Sequence, residues 1–300
     1  LNPIVQRINI TALTQIVYSA YYNKYFGYHT GTRNIYSSSD QKNWTLLATG
    51  SVGAALECIE TYGQYVAVIG SYASQGHVWR SVDGITFTET PITAAYQFTN
   101  SFCDKSNGDL YVTGGKNSDG SAFIAKSSDF LTFAFSASYG AGAFTAIAYL
   151  NGKWIAYKGG AVTYYEGLSY DALTGTGVFP VAVAAPIAYQ RPIAFGNDTW
   201  IVCGGSSLLY STDAVNWTNS FYANLTSVAT IAFLEKAGIF IMGGGTGSSG
   251  FVFSLDGTKP FSKYSYTPSA MTFLRFEETE KSFIVTANTS YIATGQQFSY

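Results

Sequence analysis

The chain has 300 residues, of which 47% are hydrophobic, 17% aromatic and only 11% charged. A net charge of -2 with only five arginines excludes the basic surface that nucleic-acid binding needs, and the same balance argues against a charged membrane surface as the partner. No run approaches the roughly 18 apolar residues of a membrane span, so membrane insertion is not expected.

The three cysteines, Cys58, Cys103 and Cys203, lie within apolar runs and lack the paired spacing of a zinc site. They are predicted to be buried free thiols, and no metal or other cofactor is expected. His29 and His77 have no carboxylate company in the sequence and are predicted to be surface histidines in loops. The first residues, LNPIVQRINI, lack the layout of a secretory signal, so this segment does not indicate export.

The predicted elements are all strands. Residues 3–10 form the first one, and from residue 14 the chain repeats a unit of strand, tight turn, strand, Gly-rich loop, strand, Asp-containing turn and strand. The first half of this unit is visible in IAYLNGKWIAYKGG, IAFGNDTWIVCGG and IAFLEKAGIFIMGGG. No segment keeps a 3.6-residue apolar period for three turns, while glycine, β-branched and aromatic residues are abundant throughout. An all-β protein is therefore predicted.

A Ser-x-Asp pattern recurs every 42 to 46 residues, a period typical of β-propellers. Its aspartates are Asp40, Asp83, Asp129, Asp171, Asp213 and Asp256. A seventh unit lacks the aspartate and is one strand short, and residues 3–10 supply the missing strand. The prediction is one domain, residues 1–300, that forms a seven-bladed propeller of four-stranded antiparallel blades with a ring closed by the N-terminal strand. The predicted blades are residues 14–50, 51–92, 93–137, 138–181, 182–222, 223–267 and 268–300 with 3–10.

The repeated aspartates are predicted to be structural. An Asp carboxylate can accept backbone N–H groups two residues further on and so stabilise a tight turn. The strings SVDGITF, STDAVNW and SLDGTKPF resemble the Asp-box (BNR) repeats of sialidase-like propellers, and six such repeats cover almost the whole chain. In most of these repeats the aromatic residue follows the aspartate one residue sooner than in the family's longer form. This shorter spacing is similar to that of propeller repeats in bacteriophage tail proteins and bacterial surface proteins. The resemblance implies that the boxes lie away from the ligand-binding face.

The resemblance to sialidases also implies three arginines that clamp a carboxylate, together with a Tyr/Glu nucleophile pair and an acid. The arginines of this chain do not match that pattern: QRPIAF at 190–195 has the wrong residue order for the family's entry motif. No Gly-x-Ser-x-Gly elbow, phosphate loop or Cys/His signature is present. The chain is therefore predicted not to be an enzyme. The alternative is a polysaccharide-cleaving glycosidase in which Glu57 and Asp119 form the pair of carboxylates.

A ligand is predicted to bind the loops opposite the Asp-boxes, which contain aromatic residues. Tyrosine combines a flat apolar face with a hydroxyl, which suits sugars and proteins alike. The candidate ligand-binding residues are Tyr96, Tyr139, Tyr189, Arg191 and Tyr222.

The low-charge surface favours an exposed setting, on a virion or outside a cell, because charge promotes non-specific adhesion. The predicted role is a recognition module that binds a host glycan or protein receptor, presented as part of an oligomer. A purely structural ring that contacts only other virion proteins remains open.

Overall fold

The structure of the chain is a computed structural model. It describes residues 5–9, 13–93, 96–116, 118–136, 139–151, 153–158, 163–167, 181–184, 193–204, 207–213, 216–220, 228–234, 238–244, 250–254, 262–265, 271–277, 282–287 and 291–295. Every regular element within these ranges is a β-strand.

The strands of the first half are β1 (Val5–Asn9), β2 (Gln15–Ser19), β3 (Lys24–His29), β4 (Asn34–Ser38), β5 (Thr45–Thr49), β6 (Ala55–Tyr62), β7 (Tyr65–Tyr72), β8 (Gln75–Ser81), β9 (Thr88–Thr93), β10 (Tyr96–Cys103), β11 (Leu110–Lys116), β12 (Ala122–Ser127), β13 (Ala134–Phe135) and β14 (Phe144–Leu150). The strands that follow are β15 (Lys153–Lys158), β16 (Thr163–Gly167), β17 (Val181–Ala184), β18 (Ile193–Gly196), β19 (Thr199–Gly204), β20 (Ser207–Ser211), β21 (Thr218–Ser220), β22 (Val228–Leu234), β23 (Ile239–Gly244), β24 (Gly250–Ser254), β25 (Ser262–Ser265), β26 (Met271–Glu277), β27 (Ser282–Ala287) and β28 (Tyr291–Gly295).

The described strands form seven four-stranded antiparallel sheets. Six of the sheets are meanders of consecutive strands, starting with β2, β6, β10, β14, β18 and β22. In the last sheet the order is β1-β28-β27-β26, with Val5 opposite Gly295 and Asn9 opposite Tyr291. The predicted all-β organisation in antiparallel four-stranded sheets is confirmed. The fourth sheet extends past residue 181, where a blade boundary was predicted, because β17 pairs with β16.

The chain divides into two compact units. One contains residues 15–185 and holds the sheets that start with β2, β6, β10 and β14. The other contains residues 1–14 and 186–300 and holds the sheets of β18–β21, β22–β25 and β26–β28 with β1. In this second unit Ala194, Ile201 and Leu208 of one sheet share a core with Phe240 and Met242 of the next.

In the 15–185 unit, both faces of the second sheet are covered by its neighbours. Along β7, Val66 and Val68 pack into a core shared with the first sheet, whereas Ala67 and Ile69 pack into a core shared with the third. Alternate residues therefore face different sheets but are all buried, which explains the continuous apolar run YVAVIG at 65–70.

Five sheets carry a β-bulge in their first strand, in β6, β10, β14, β22 and β26. The residues left out of register are Glu57, Thr99, Thr145, Ala229 and Thr272. The bulge brings the backbone of the first strand close to the second. A Cβ added at Gly70 would lie 2.1 Å from the Ala55 carbonyl oxygen, and one at Gly114 would lie 1.8 Å from that of Gln97. These contacts explain the glycines that recur near the end of the second strand.

Hydroxyl groups connect each bulge to the preceding sheet within the 15–185 unit. Thr30 Oγ1 donates to the Leu56 carbonyl at 2.8 Å, and Ser71 Oγ donates to the Phe98 carbonyl at 3.1 Å. Thr99 Oγ1 donates to the Phe144 carbonyl at 2.6 Å. Each acceptor immediately precedes a bulge, where the regular ladder is interrupted. These bonds place the starts of the first strands side by side at one end of the unit.

Candidate functional site

In the four sheets where the structure describes it, the turn between the third and fourth strands contains the repeated Ser-x-Asp pattern, and we call each of these turns a box. We call this end of the 15–185 unit the box end and the other the loop end. In each of the four boxes that the structure describes, the serine hydroxyl donates to the aspartate Oδ1. These distances are 3.0 Å for Ser38–Asp40, 2.9 Å for Ser81–Asp83, 2.9 Å for Ser127–Asp129 and 2.8 Å for Ser211–Asp213.

The carboxylates also accept backbone N–H groups from the turn. Asp40 Oδ1 accepts from Lys42 at 2.8 Å and from Asn43 at 2.7 Å, and the Asn43 side chain donates to Oδ2 at 2.7 Å. In the box of Asp213 the equivalent Asn216 makes the same two contacts. The repeated string Asn-Trp-Thr is thus part of the turn, and the four described aspartates each hydrogen-bond within their own turn.

These hydrogen bonds lower the pKa of the box carboxyls. Backbone N–H groups of Asn43 and Lys42 lower the pKa of Asp40, and those of Thr86 and Ile85 lower the pKa of Asp83. For Asp129, partial burial raises the pKa, but the backbone N–H groups of its turn outweigh this and lower it to about 2. The turns are therefore stabilised by the ionised carboxylates.

We expect the protein to lose stability as the pH falls from about 4 to about 2. A pKa that is lower in the folded than in the unfolded chain, where an Asp has a value of about 3.9, stabilises the fold above that value and ceases to do so as the carboxyl is protonated. The triple variant Asp40→Asn, Asp83→Asn, Asp129→Asn should show a smaller drop of the urea midpoint between these pH values than the unchanged chain. Asp198→Asn, an exposed aspartate outside the boxes, is the control. An equal drop in the triple variant would contradict this role of the boxes.

At the loop end, the two described candidates for ligand binding are half-buried. Tyr96 opens β10, and its ring lies 4.5 Å from that of Phe135 and 4.6 Å from that of Phe123. The Tyr139 ring lies 5.2 Å from that of Phe144, and its backbone N–H donates to Ala122 at 2.9 Å. Part of each ring therefore contributes to packing, and a role in binding stays a prediction. Tyr189, Arg191, Tyr222, Asp171 and Asp256 lie outside the described residues.

The alternative pair of carboxylates lies in two different sheets. Glu57 is the exposed bulge residue of β6, and its carbonyl accepts a hydrogen bond from the buried Tyr28 hydroxyl. Asp119 lies in the turn before β12, where its Oδ1 accepts from the Ser121 hydroxyl at 2.5 Å and the Ser121 N–H at 2.9 Å. These bonds lower the pKa of Asp119, so this carboxyl suits a base better than a proton donor.

The sequence prediction of a surface His77 is wrong. His77 lies within β8 and is only 6% exposed. Its Nδ1 is 3.0 Å from Glu89 Oε1, and Glu89 Oε2 accepts from the Ser51 hydroxyl at 2.7 Å. The imidazole stacks on Trp79 at 5.8 Å between ring centroids. This network joins the segment before β6 to the outer strands of the same sheet, and the sequence carries no local signal for it.

The exposed apolar side chains at the box end include Tyr21, Val82 and Ile85, which the sequence did not single out. Among the residues that the structure describes, no group of three His, Cys, Asp or Glu side chains could hold a metal ion. Within the same part of the chain, no helix has the length and hydrophobicity to cross a membrane.

Comparison with known proteins identifies the type of fold. No protein-family model and no curated protein matches the chain. Among solved structures, virginiamycin B lyase from Staphylococcus aureus superposes with a TM-score of 0.75 at 13% identity, over 98% of this chain and 99% of that one. YCF48 bound to a D1 peptide gives a TM-score of 0.71 at 11% identity, over 99% and 98%. The WD40 domain of Neurospora crassa Pan2 gives 0.68 at 11% identity, over 96% and 90%.

The comparison with the lyase contradicts the prediction that the chain is not an enzyme. That prediction relied on missing catalytic motifs, and the lyase is an enzyme that shares the fold over nearly the whole of both chains. The fold is therefore compatible with catalysis. At this level of identity the similarities establish the fold alone: the chain has a fold of the β-propeller type, built from antiparallel four-stranded sheets.

Proposed function

We propose that the chain is a seven-bladed Asp-box propeller, closed by β1 as the outer strand of the last blade, and that it acts as a recognition module. It binds a host glycan or protein receptor through the loops opposite the boxes, which include the loop end of the 15–185 unit, as part of a bacteriophage tail or another exposed surface. The observation that carries this proposal is the bulge repeated in five first strands, because bulges are over-represented beside active sites, where they redirect side chains.

Two further features support recognition at the loop end. The serine and aspartate side chains of the described boxes hydrogen-bond within their own turns, which accounts for their repetition without a receptor. YCF48, with the same type of fold, has been solved with a bound peptide.

Single contacts at such a surface are weak. A sugar stacked on one tyrosine gains only about 0.5 to 1.5 kcal/mol beyond the burial of its area. Affinity therefore has to come from several loops, and from several copies of the chain. Presentation in an oligomer raises the apparent affinity by roughly 10² or more when the copies reach their ligands together.

The proposal predicts that Tyr139→Ala, Tyr189→Ala and Tyr222→Ala each weaken binding several-fold. The measurement is binding of monomer and oligomer to an array of bacterial surface glycans and to host cells. Trp217→Ala, which removes the box aromatic of the fifth repeat, is the contrasting variant. It should lower the melting temperature and leave the affinity of the folded protein nearly unchanged. Loss of binding in Trp217→Ala alone, with the protein still folded, would assign the ligand to the box end instead.

A second candidate is a polysaccharide-cleaving enzyme, favoured by the exposed Glu57 at a bulge and by the fold shared with the lyase. Glu57 would be the proton donor and Asp119, with its lowered pKa, the base. Release of reducing ends from host capsule or lipopolysaccharide that disappears in Glu57→Gln would establish this function. Binding to another virion protein, without any binding to glycans or cells, would indicate a purely structural ring.

A further inference from the structure

The box end of the 15–185 unit carries a group of exposed apolar side chains. Tyr21 is 65% exposed, Ile85 60% and Val82 48%. Tyr21 lies in the turn between β2 and β3 of the first sheet, and the other two lie in the box of the second sheet. Large apolar side chains at such exposure need an explanation when they cluster.

Tyr22 joins these residues into one surface. The rings of Tyr21 and Tyr22 are in edge contact at 4.9 Å. Tyr22 packs over Gly84, where an added Cβ would lie 3.0 Å from its ring, and its hydroxyl donates to the Gln64 carbonyl at 2.7 Å. Gly84 lies between Val82 and Ile85 in the chain. We call Tyr21, Tyr22, Val82 and Ile85 the Tyr21 patch.

The turn does not require an apolar residue at position 82. The equivalent residues of the other described boxes are Ser39, Ser128 and Thr212, all exposed, and these boxes form the same serine–aspartate contact. Position 85 corresponds to Lys42 in the first box and to Leu131 in the third, so the turn accepts either a polar or an apolar residue there. Val82 and Ile85 therefore contribute nothing to the turn that a polar residue could not, so their apolar character points to a partner.

The fixed charge of the patch is negative. The Asp83 carboxylate is exposed and has no ion-pair partner among the described residues. Burial raises the pKa of the Tyr22 hydroxyl, with smaller contributions from Tyr21 and the Asp83 carboxylate. A cation carried by the partner would find its counter-ion here.

The aliphatic side chains of the patch favour a protein over a sugar as the partner. Val82 and Ile85 have no hydrogen-bonding groups, so sugar hydroxyls buried against them would lose their bonds to water without replacement. An apolar side chain of a protein has no such cost and gains from the burial.

We propose that the Tyr21 patch docks a protein segment that combines an aliphatic or aromatic side chain with a lysine or arginine. The aliphatic group covers Val82 and Ile85 beside the Tyr21 ring, and the cation pairs with Asp83. This surface lies at the opposite end of the unit from the proposed receptor-binding loops, so it is a further binding function.

The test uses a short synthetic peptide of alternating leucine and lysine, and two matched peptides in which lysine is replaced by glutamate or leucine by serine. Binding is measured by isothermal titration calorimetry, which gives a Kd for the unchanged chain and for each variant, and methyl NMR of Val82 and Ile85 in the unchanged chain locates the binding site. The variant Val82→Ser, Ile85→Thr removes the apolar groups and keeps the charge, since Ser39 and Thr258 occupy these positions in other repeats. Val52→Ser, at an 82% exposed position between β5 and β6, is the control.

The leucine/lysine peptide should bind the unchanged chain and Val52→Ser with equal affinity. Its affinity for the double variant should be lower by about tenfold or more, as expected for the loss of central apolar contacts. The glutamate and serine peptides should bind much more weakly than the leucine/lysine peptide. Equal binding of the glutamate peptide, or equal binding by the double variant, would overturn the proposal. Self-association that the double variant abolishes, with no peptide binding, would assign the patch to a second copy of the chain and would also overturn it.

Discussion

Replacement of Gly114 by alanine is expected to lower the free energy of unfolding by about 3 kcal/mol or more. A Cβ at this position would lie 1.8 Å from the Gln97 carbonyl oxygen and 2.9 Å from its carbonyl carbon. Both atoms belong to the backbone of β10 beside its bulge, so no side-chain rotation can relieve the contact. The strand has to move, which disturbs the bond from Thr99 to the next sheet.

Urea unfolding of Gly114→Ala measures this effect. Gly63→Ala is the matched control, because a Cβ there meets nothing within 4 Å and the cost is limited to a left-handed backbone at φ 51°. That cost is about 1 kcal/mol. Equal destabilisation by the two substitutions would show that the bulge does not constrain Gly114.

Phe123→Ala is expected to destabilise the protein by about 3 to 5 kcal/mol, the usual cost of truncating a buried aromatic ring. Phe123 is 1% exposed and lies in the core between the second and third sheets. Its ring contacts those of Tyr96, Phe98 and Phe135 at 4.6 to 6.0 Å. The substitution leaves a cavity between two sheets that are held by their own hydrogen bonds and cannot easily close it.

The same urea measurement tests this prediction, with Ile85→Ala as the control. Ile85 is 60% exposed, so its truncation should change stability by less than about 0.5 kcal/mol. A second readout is the environment of Tyr96, which loses one of its two ring contacts in Phe123→Ala. A cost for Phe123→Ala as small as that for Ile85→Ala would mean that the two sheets do not share a tightly packed core.

The sequence predicted those features whose causes lie within a few residues of one another. Ser38, Asp40 and Asn43 form their turn from a single short segment, so the repeated pattern was sufficient to place it and to assign it a structural role. The same holds for the alternation of hairpins and for the four strands per repeat, because turn residues and apolar runs recur at a fixed period.

The tertiary structure decided which side chains remain exposed. Tyr96 and Tyr21 look alike in the sequence, but Tyr96 stacks on Phe135 of its own sheet, whereas Tyr21 at the box end is 65% exposed. His77 is buried because Glu89, twelve residues away, and Ser51 come together around it only after the sheet has formed. Gly114 is required because of a bulge in a different strand. Local patterns determine turns and strands, but exposure and close contacts depend on neighbouring strands, and these are specified only when the sheets pack.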